Sequence, residues 1–184
     1  MTNIILNSFG GPAMVARTVT QYARAGVAGL HIEDQVQTKR CGHLLGKQVV
    51  SREEFITRIR AAVIARDLLP GNSDFVIIGR TDSAQVLGMD EAIVRLKLAA
   101  DAGADVCFIE GVKTKELLES TVAALAPKPV RIISGIVDRF LNLFQVLVNV
   151  ISGGLTPSFT TKEAEQMGAK IISKSSILIE ALPC

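Results

Sequence analysis

A helix–glycine–strand unit that ends in an acidic residue occurs twice along this chain and constrains its fold more than any other feature. Gly26 precedes Glu33 by seven residues, and Gly103 precedes Glu110 by the same seven, with a mainly apolar stretch between them each time. The stretch 167–172 repeats the helix end, the glycine and the strand start without the acid. Repeated strand–helix units of this kind predict a parallel sheet whose strands alternate with helices.

The composition agrees with an α/β fold of one domain. Apolar residues make up 48% of the 184 residues, while Trp is absent and Tyr occurs once. Aliphatic side chains and Ala must therefore build the core, as they do around buried parallel strands. The length suits one domain with a sizeable core, which we place over residues 1–184.

The apolar runs predict five clear strands and a weak one at the start of the chain: 27–33, 75–81, 106–110, 146–151 and 169–173, with 4–6 as the weak strand. Polar residues stand at or near the ends of four of them: His31 and Glu33, Arg80 and Asp82, Glu110, and Asn149. A (β/α)8 barrel gathers its catalytic residues at this end of its strands and needs eight strands to close. We therefore predict an incomplete TIM-type barrel. A doubly wound open sheet is the alternative, although such sheets more often carry a Gly-rich phosphate loop after the first strand.

Charge, hydropathy and cysteine usage exclude several classes of protein. A net charge of +2 with scattered positive residues does not indicate a nucleic-acid partner. The chain has no run of about 18 apolar residues, so we predict no membrane span, and its start does not resemble a secretion signal. Three cysteines at irregular spacing indicate a reducing compartment. We expect a cytoplasmic protein, or a mitochondrial one if a longer N-terminus precedes Met1.

A polar loop after strand 27–33 carries the most reactive candidate residue, Cys41. Three residues that can carry positive charge flank it: Lys39, Arg40 and His43. Such neighbours favour the thiolate, so proton exchange by Cys41 near neutral pH is feasible. Cys107, inside an apolar strand, is instead typical of a small buried hydrophobe. A zinc site formed by His31, Cys41 and His43 is the alternative, but a Cys-x-His pair with one strand His matches no usual ligand spacing.

Six stretches resemble the isocitrate lyase/phosphoenolpyruvate mutase superfamily: 11–19, 25–35, 39–43, 78–82, 103–110 and 149–157. The Lys-Arg-Cys-Gly-His signature at 39–43 is the most specific of them. It indicates the branch that cleaves carbon–carbon bonds, which includes methylisocitrate lyase, dimethylmalate lyase and oxaloacetate acetylhydrolase. The resemblance implies Mg²⁺-dependent cleavage of a 2-hydroxy- or 2-oxo-di- or tricarboxylate through an enolate. Oxaloacetate hydrolysis to oxalate and acetate is the alternative reaction, and Mn²⁺ the alternative metal.

The resemblance also implies a role for each matching residue. Glu33 would belong to the metal shell, and Cys41 would protonate the carbon of the departing enolate. Glu110 would position the substrate hydroxyl or act as a base, and His31 would contact the substrate. Five residues would bind substrate: Arg80, Gly42, His43, Asn149 and Thr156. A structural ion pair or helix cap is the alternative role for the charged and polar members of this set, and Lys47 is expected to be solvated. Intact members of the family are expected to be homo-oligomers that bind a small carboxylate.

The chain departs from the family pattern in two places. Ile4 and Leu6 occupy the positions of aspartates that help hold Mg²⁺ in the family, and the first two strands with their substrate-binding loop are absent. Residues 131–146 resemble an insertion, because joining Val130 to Leu147 restores an ordinary strand; we interpret it as translated intron, which the spliced transcript would test. These departures favour a hypothesis of another class, an inactive fragment or pseudoenzyme subunit. They also predict open sheet edges and marginal stability.

Overall fold

The computed structural model describes residues 4–7, 10–41, 44–70, 74–125, 145–150, 160–167 and 171–174. Six strands and five α-helices alternate along these residues. The strands are β1 (Ile4–Asn7), β2 (Gly29–Glu33), β3 (Val76–Thr81), β4 (Val106–Ile109), β5 (Gln145–Val150) and β6 (Ile171–Lys174). The helices are α1 (Pro12–Arg24), α2 (Arg52–Asp67), α3 (Met89–Asp101), α4 (Lys115–Leu125) and α5 (Thr161–Gln166). All six predicted strands are therefore confirmed, including the weak one at the start of the chain.

The six strands form one parallel sheet in which spatial order follows chain order from β1 to β6. Successive helices also pack side by side, α1 against α2, α2 against α3 and α3 against α4. A doubly wound sheet reverses its strand order at a switch point. The alternative of a doubly wound fold is therefore wrong. Among the described residues, β1 and β6 each have one strand neighbour and form the two edges.

Local signals explain where the helices begin. Pro12 occupies the first turn of α1, where its missing N–H is not needed. The Ser51 hydroxyl accepts a hydrogen bond of 3.2 Å from the Glu54 amide and caps α2. The Glu54 carboxylate pairs with Arg58 of the same helix. Thr160 and Glu163 form a complete capping box at the start of α5.

The two faces of the sheet differ in what covers them. Alternate strand residues such as Leu30, Ile32 and Ile77 pack against the helices together with Phe55 and Ile59 of α2. The intervening positions point to the opposite face, because side chains alternate along a strand. A small cluster of Ile78, Val106 and Phe108 lies on that opposite face. The polar strand ends described below continue this second face.

Three further expectations can be compared with the structure. Cys107 is buried, with its Sγ 3.5 Å from the Leu96 carbonyl oxygen, and burial raises the pKa of its thiol. The predicted insertion 131–146 lies outside the described residues except for Gln145 and Val146, which begin β5. No helix in the described part of the chain has both the length and the apolar character needed to cross a membrane.

Candidate active site

Strand register brings the polar ends of β2, β3 and β4 together. Glu33 is the register partner of Arg80, and Arg80 is the partner of Phe108. His31 stands two residues before Glu33, so both side chains lie on the face opposite the helices. Glu110 stands two residues after Phe108, so its side chain lies on the same face as that of Phe108. The predicted residues of three strands therefore meet at the carboxyl end of the sheet.

Arg80 is the centre of this cluster, and three carboxylates surround its guanidinium. Its Nε and Nη2 donate to the two carboxylate oxygens of Asp82, at 3.0 and 3.1 Å. Nη2 also lies 2.9 Å from Glu110 Oε2, and Nε lies 3.5 Å from Glu33 Oε2. Burial by itself would lower the pKa of Arg80, but these carboxylates outweigh burial and raise the pKa above its ordinary value.

Two lysines from the segment after β2 complete the charge balance. The Lys39 ammonium lies 3.0 Å from Glu33 Oε1. The Lys47 ammonium donates to Gln85 Oε1 at 2.8 Å and lies 3.7 Å from Asp82 Oδ1. Lys47 is only 6% exposed, so the expectation that it is solvated is wrong. Burial lowers the pKa of Lys47, although Asp82 and Glu110 oppose that shift.

The His31 side chain is buried between an aromatic ring and a positively charged group. Its ring makes an edge contact with Phe108 at 5.2 Å between centroids, and the Arg80 guanidinium lies 4.9 Å from the same Phe108 ring. The side chain is 5% exposed, and among the described residues its Nδ1 has no hydrogen-bond partner. Burial, reinforced by Arg80 and Lys39, lowers the pKa of His31 to about 3. His31 is therefore neutral near physiological pH, with one ring nitrogen available to a ligand.

The Cys41 loop, defined here as Asp34–Val50, is closed at its base like an Ω-loop. Gln35 and Val49 form an antiparallel bridge, and the Val50 amide donates to the Asp34 carbonyl oxygen at 2.8 Å. The Gln35 side chain bonds both the amide and the carbonyl oxygen of Arg40, each at 3.0 Å. Cys41 follows and is exposed. The loop thus presents a thiol directly after a fixed backbone turn.

The structure brings four of the predicted site residues together, and it does not describe the side chains of four others. His31, Glu33, Arg80 and Glu110 converge, as described above. Asn149 lies in β5 opposite Ser173, with its backbone alone described. Gly42, His43 and Thr156 lie outside the described residues.

Sequence reasoning named Asp82 among the polar strand ends but missed its role as the partner of Arg80, and it missed the contributions of Lys47 and Phe108. The signal for Asp82 and Phe108 was available, since each lies two residues from a candidate, Arg80 or Glu110, on the same strand face. Lys47 carried no such signal, because its burial depends on the loop folding back onto Gln85.

The donor chemistry at this end of the sheet fits Mg²⁺ in part. Carboxylate oxygens are the ligands that Mg²⁺ prefers, and Glu33 supplies them. Within the described residues, however, no group of three or more His, Cys, Asp or Glu side chains could hold a metal ion. Mg²⁺ in proteins commonly keeps several water ligands, so one carboxylate such as Glu33 can contribute to a site without forming it alone.

The chain is similar to known proteins in both sequence and structure. The sequence matches the family described as phosphoenolpyruvate phosphomutase over residues 5–182. A 2-methylisocitrate lyase of Salmonella typhimurium is 43% identical over 158 residues, which cover 84% of this chain and 46% of that protein. A structure of oxaloacetate acetylhydrolase in complex with the inhibitor 3,3-difluorooxalacetate matches with a TM-score of 0.84 at 47% identity, over 97% of this chain and 54% of that one.

A crystal structure of 2,3-dimethylmalate lyase, described as a PEP mutase/isocitrate lyase superfamily member, matches with a TM-score of 0.82 at 45% identity. It too is covered to 54%, against 97% of this chain, so the chain spans about half the length of the relatives it matches. The family match extends over nearly the whole chain and includes both the Cys41 loop and the strand ends that converge on Arg80. The chain belongs to the phosphoenolpyruvate mutase/isocitrate lyase superfamily.

Proposed function

We propose that this chain carries part of a Mg²⁺-dependent site that cleaves a carbon–carbon bond in a 2-hydroxy- or 2-oxo-di- or tricarboxylate, in the manner of a methylisocitrate lyase. The observation that carries this proposal is the convergence of Arg80, Glu33 and Glu110 at the carboxyl ends of parallel strands, beside the loop that bears Cys41. Catalytic residues of (β/α)8 barrels come from this position. The sheet would then be six strands of an incomplete barrel, in which further strands would pair with β1 and β6.

Each residue has a task that its surroundings support. The Arg80 guanidinium can hold a carboxylate by two hydrogen bonds, as it holds Asp82 in the structure, so a substrate carboxylate on the same two nitrogens would have to displace Asp82. Cys41 would deliver a proton to the carbon of the departing enolate, since it is exposed on a loop whose turn Gln35 fixes. Glu110 would orient or deprotonate the substrate hydroxyl. His31 is neutral and offers Nδ1 to a polar substrate group.

A bound Mg²⁺ would supply positive charge next to the oxygens on which the enolate charge develops. Glu33 is the described residue placed to contact it, because its buried carboxylate belongs to the same cluster as Arg80. Lys39 pairs with Glu33 Oε1 in the structure, so a metal ion bound at that oxygen would displace the ammonium. Gly42, His43, Asn149 and Thr156 remain proposed substrate contacts.

Two other functions have a specific observation in their favour. Hydrolysis of oxaloacetate is favoured by the likeness to oxaloacetate acetylhydrolase, at 47% identity. A catalytically inactive subunit is favoured by Ile4 and Leu6, which are apolar residues at positions where the family resemblance places metal-binding aspartates. Such a subunit would retain Arg80 and Glu110 as a structural ion pair.

The test is turnover of 2-methylisocitrate, 2,3-dimethylmalate and oxaloacetate by the purified chain, with and without Mg²⁺. We expect Mg²⁺-dependent release of a 2-oxoacid from one of the first two substrates. Release of oxalate from the third would select the hydrolase instead. A soluble, folded chain that is silent on all three would retire catalysis for this chain and leave the inactive subunit.

The role of Cys41 is tested in the same assay. Cys41→Ser should abolish turnover while leaving the far-ultraviolet circular dichroism spectrum unchanged. Cys184→Ser is the matched control, since it removes a thiol that has no proposed role, and it should retain full activity. An unaltered rate in Cys41→Ser would remove this thiol from the mechanism.

A further inference from the structure

Both ends of the Cys41 loop converge on a buried arginine of α3 that no catalytic role uses. Arg95 Nη1 donates to the Val50 carbonyl oxygen at 2.8 Å, at the end of the loop. The same nitrogen lies 3.2 Å from Asp34 Oδ2, at the start of the loop. Arg95 is 4% exposed, and its Nε is held by Glu91 at 2.8 Å. One guanidinium therefore touches the two points where the loop leaves and rejoins the fold.

Asp34 extends this contact to the strand that carries Arg80. Its carboxylate accepts a hydrogen bond of 2.6 Å from the Thr81 hydroxyl and one of 2.8 Å from the Asp82 amide. Asp34 is completely buried. The Asp82 carboxylate in turn binds Arg80 by two hydrogen bonds. The Asp34 carboxylate therefore links the base of the loop, through Asp82, to the centre of the site.

We propose that Arg95 is a positioning residue for Cys41. By holding Val50 and Asp34 at once, it fixes the base of the Cys41 loop against the end of β3, and so sets where the thiol stands relative to Arg80. The inference rests on the proposed function for what Cys41 does, but the restraint on the loop belongs to the folded chain without substrate.

A second buried ion pair offers a direct comparison. Arg66 of α2 is 3% exposed and pairs with Asp105 at 2.6 Å, and Asp105 accepts a hydrogen bond of 2.8 Å from the Ile77 amide. Ile77 and Asp105 lie at the amino-terminal end of the sheet, whereas Arg95 and Asp34 lie at the carboxyl end. Both pairs join a helix to the sheet. In the described contacts, Arg95 touches the Cys41 loop and Arg66 does not.

The two pairs therefore allow a crossed experiment on the full chain without ligand. Hydrogen exchange read by mass spectrometry follows peptides that cover 34–41, 44–50 and 75–81 in Arg95→Met and in Arg66→Met. Loss of a charged hydrogen bond at the loop base should speed exchange in the first two peptides about tenfold in Arg95→Met, with the third little changed. Arg66→Met should show the opposite pattern, with faster exchange in the peptide that contains Ile77.

The crossed pattern separates positioning from general support of the fold. If both variants speed exchange in all three peptides alike, Arg95 merely stabilises the fold and the proposal is overturned. Arg95→Lys covers the case in which Arg95→Met does not fold, because a lysine keeps the charge beside Asp34 but lacks the planar fork. In Arg95→Lys, hydrogen exchange in peptides 34–41 and 44–50 should be faster than in the unsubstituted chain and slower than in Arg95→Met. Exchange as slow as in the unsubstituted chain would contradict the role of the Arg95 fork in holding the loop. Neither result depends on whether the chain turns over a substrate.

Discussion

Arg80 shows how strongly one side chain can determine the charge balance of a buried site. Three carboxylates face its guanidinium, and each is nearly or fully inaccessible to solvent. Buried carboxylates remain charged only when cations and hydrogen-bond donors compensate for the loss of water. Arg80 contacts all three, while the Lys39 ammonium pairs with Glu33 and the Lys47 ammonium with Asp82.

Replacing this cation should therefore be costly. We expect Arg80→Met to lower the free energy of unfolding by about 3–5 kcal/mol at neutral pH, since it leaves like charges buried together. Urea unfolding monitored by circular dichroism measures the loss. Arg17→Met, at an exposed position of α1, is the control and should change stability by less than about 0.5 kcal/mol. Equal losses in the two variants would mean that the cluster is not held by Arg80.

The neutral state of His31 gives stability a defined pH dependence. The pKa of His31 is about 3 in the folded chain, against 6.5 for an ordinary histidine, so below pH 6.5 the unfolded chain binds the extra proton. Stability should then fall as the pH drops from 6.5 towards 3, with a slope approaching about 1.4 kcal/mol per pH unit from this group. The urea midpoint should decrease between about pH 7 and about pH 5 in both proteins, and the decrease should be smaller in His31→Gln than in the unsubstituted chain. A constant difference between the two proteins would show that His31 does not titrate in this way.

At the residue scale, the sequence predicted which side chains form the site better than it predicted their partners. His31 and Glu33 were both predicted near the end of one strand, and the structure places both in β2. The position of Lys47 could not be read in the same manner, because a lysine after a glycine-containing loop is usually solvated. Its burial follows from a hydrogen bond to Gln85, which is distant in sequence.

At the scale of elements, glycines mark the places where backbone approaches backbone. A Cβ added at Gly29 would stand 2.6 Å from the Val76 carbonyl oxygen on the neighbouring strand. A Cβ added at Gly79 would stand 3.1 Å from Ala99 Cβ on α3, so the absence of a side chain there lets α3 lie close to the sheet. Both glycines belong to strands that carry converging polar residues: Gly29 allows the close approach of β2 to β3, and Gly79 allows the close approach of α3 to the sheet.

Gly29→Ala tests this spacing. Because the added methyl group meets a backbone oxygen that cannot rotate away, we expect a loss of about 2 kcal/mol in the free energy of unfolding. Gly11→Ala is the matched control, since nothing lies within 4 Å of its added Cβ, and it should lose less than about 1 kcal/mol. Thermal and urea unfolding both report the difference. If the two substitutions prove equally mild, β2 and β3 are not in close contact at Gly29.

Element order was predictable because the strands and several helix starts have local signals. Ser51 and Thr160 precede helices, and hydrophobic runs define the strands. The ends were less predictable: predicted strand 27–33 begins at Gly29, and predicted strand 106–110 ends at Ile109. Strand boundaries depend on which residues find a neighbouring strand, which is information that a single run of apolar residues does not contain.

At the scale of the whole molecule, the two edge strands β1 and β6 determine how the chain behaves in solution. In the described part of the chain each has one strand neighbour, so its other side presents backbone groups that another strand can pair with. The relatives are about twice as long as this chain, which fits a sheet that continues in them. The sequence could predict the number of strands here, but it could not predict what covers the edges.

We expect the purified chain to self-associate through these edges. Sedimentation velocity across a wide range of protein concentration should show a mass that rises with concentration. A charged residue on an edge strand discourages such pairing, so Asn7→Lys combined with Ser173→Lys should reduce the association without unfolding the chain. A monomer at all concentrations, with a cooperative unfolding transition at high temperature, would contradict this expectation.

The chain-order arrangement of the strands has a consequence for how this molecule reaches its fold. Each strand pairs with the strand before it in the chain, so every pairing closes a single β–α connection, and the entropic cost of closure grows only slowly with the length of that connection. Topologies of this kind can assemble vectorially, one β–α unit at a time, as a chain emerges during synthesis. A folding pathway built from such increments would let a stretch half the length of its relatives form a continuous parallel sheet whose polar strand ends converge.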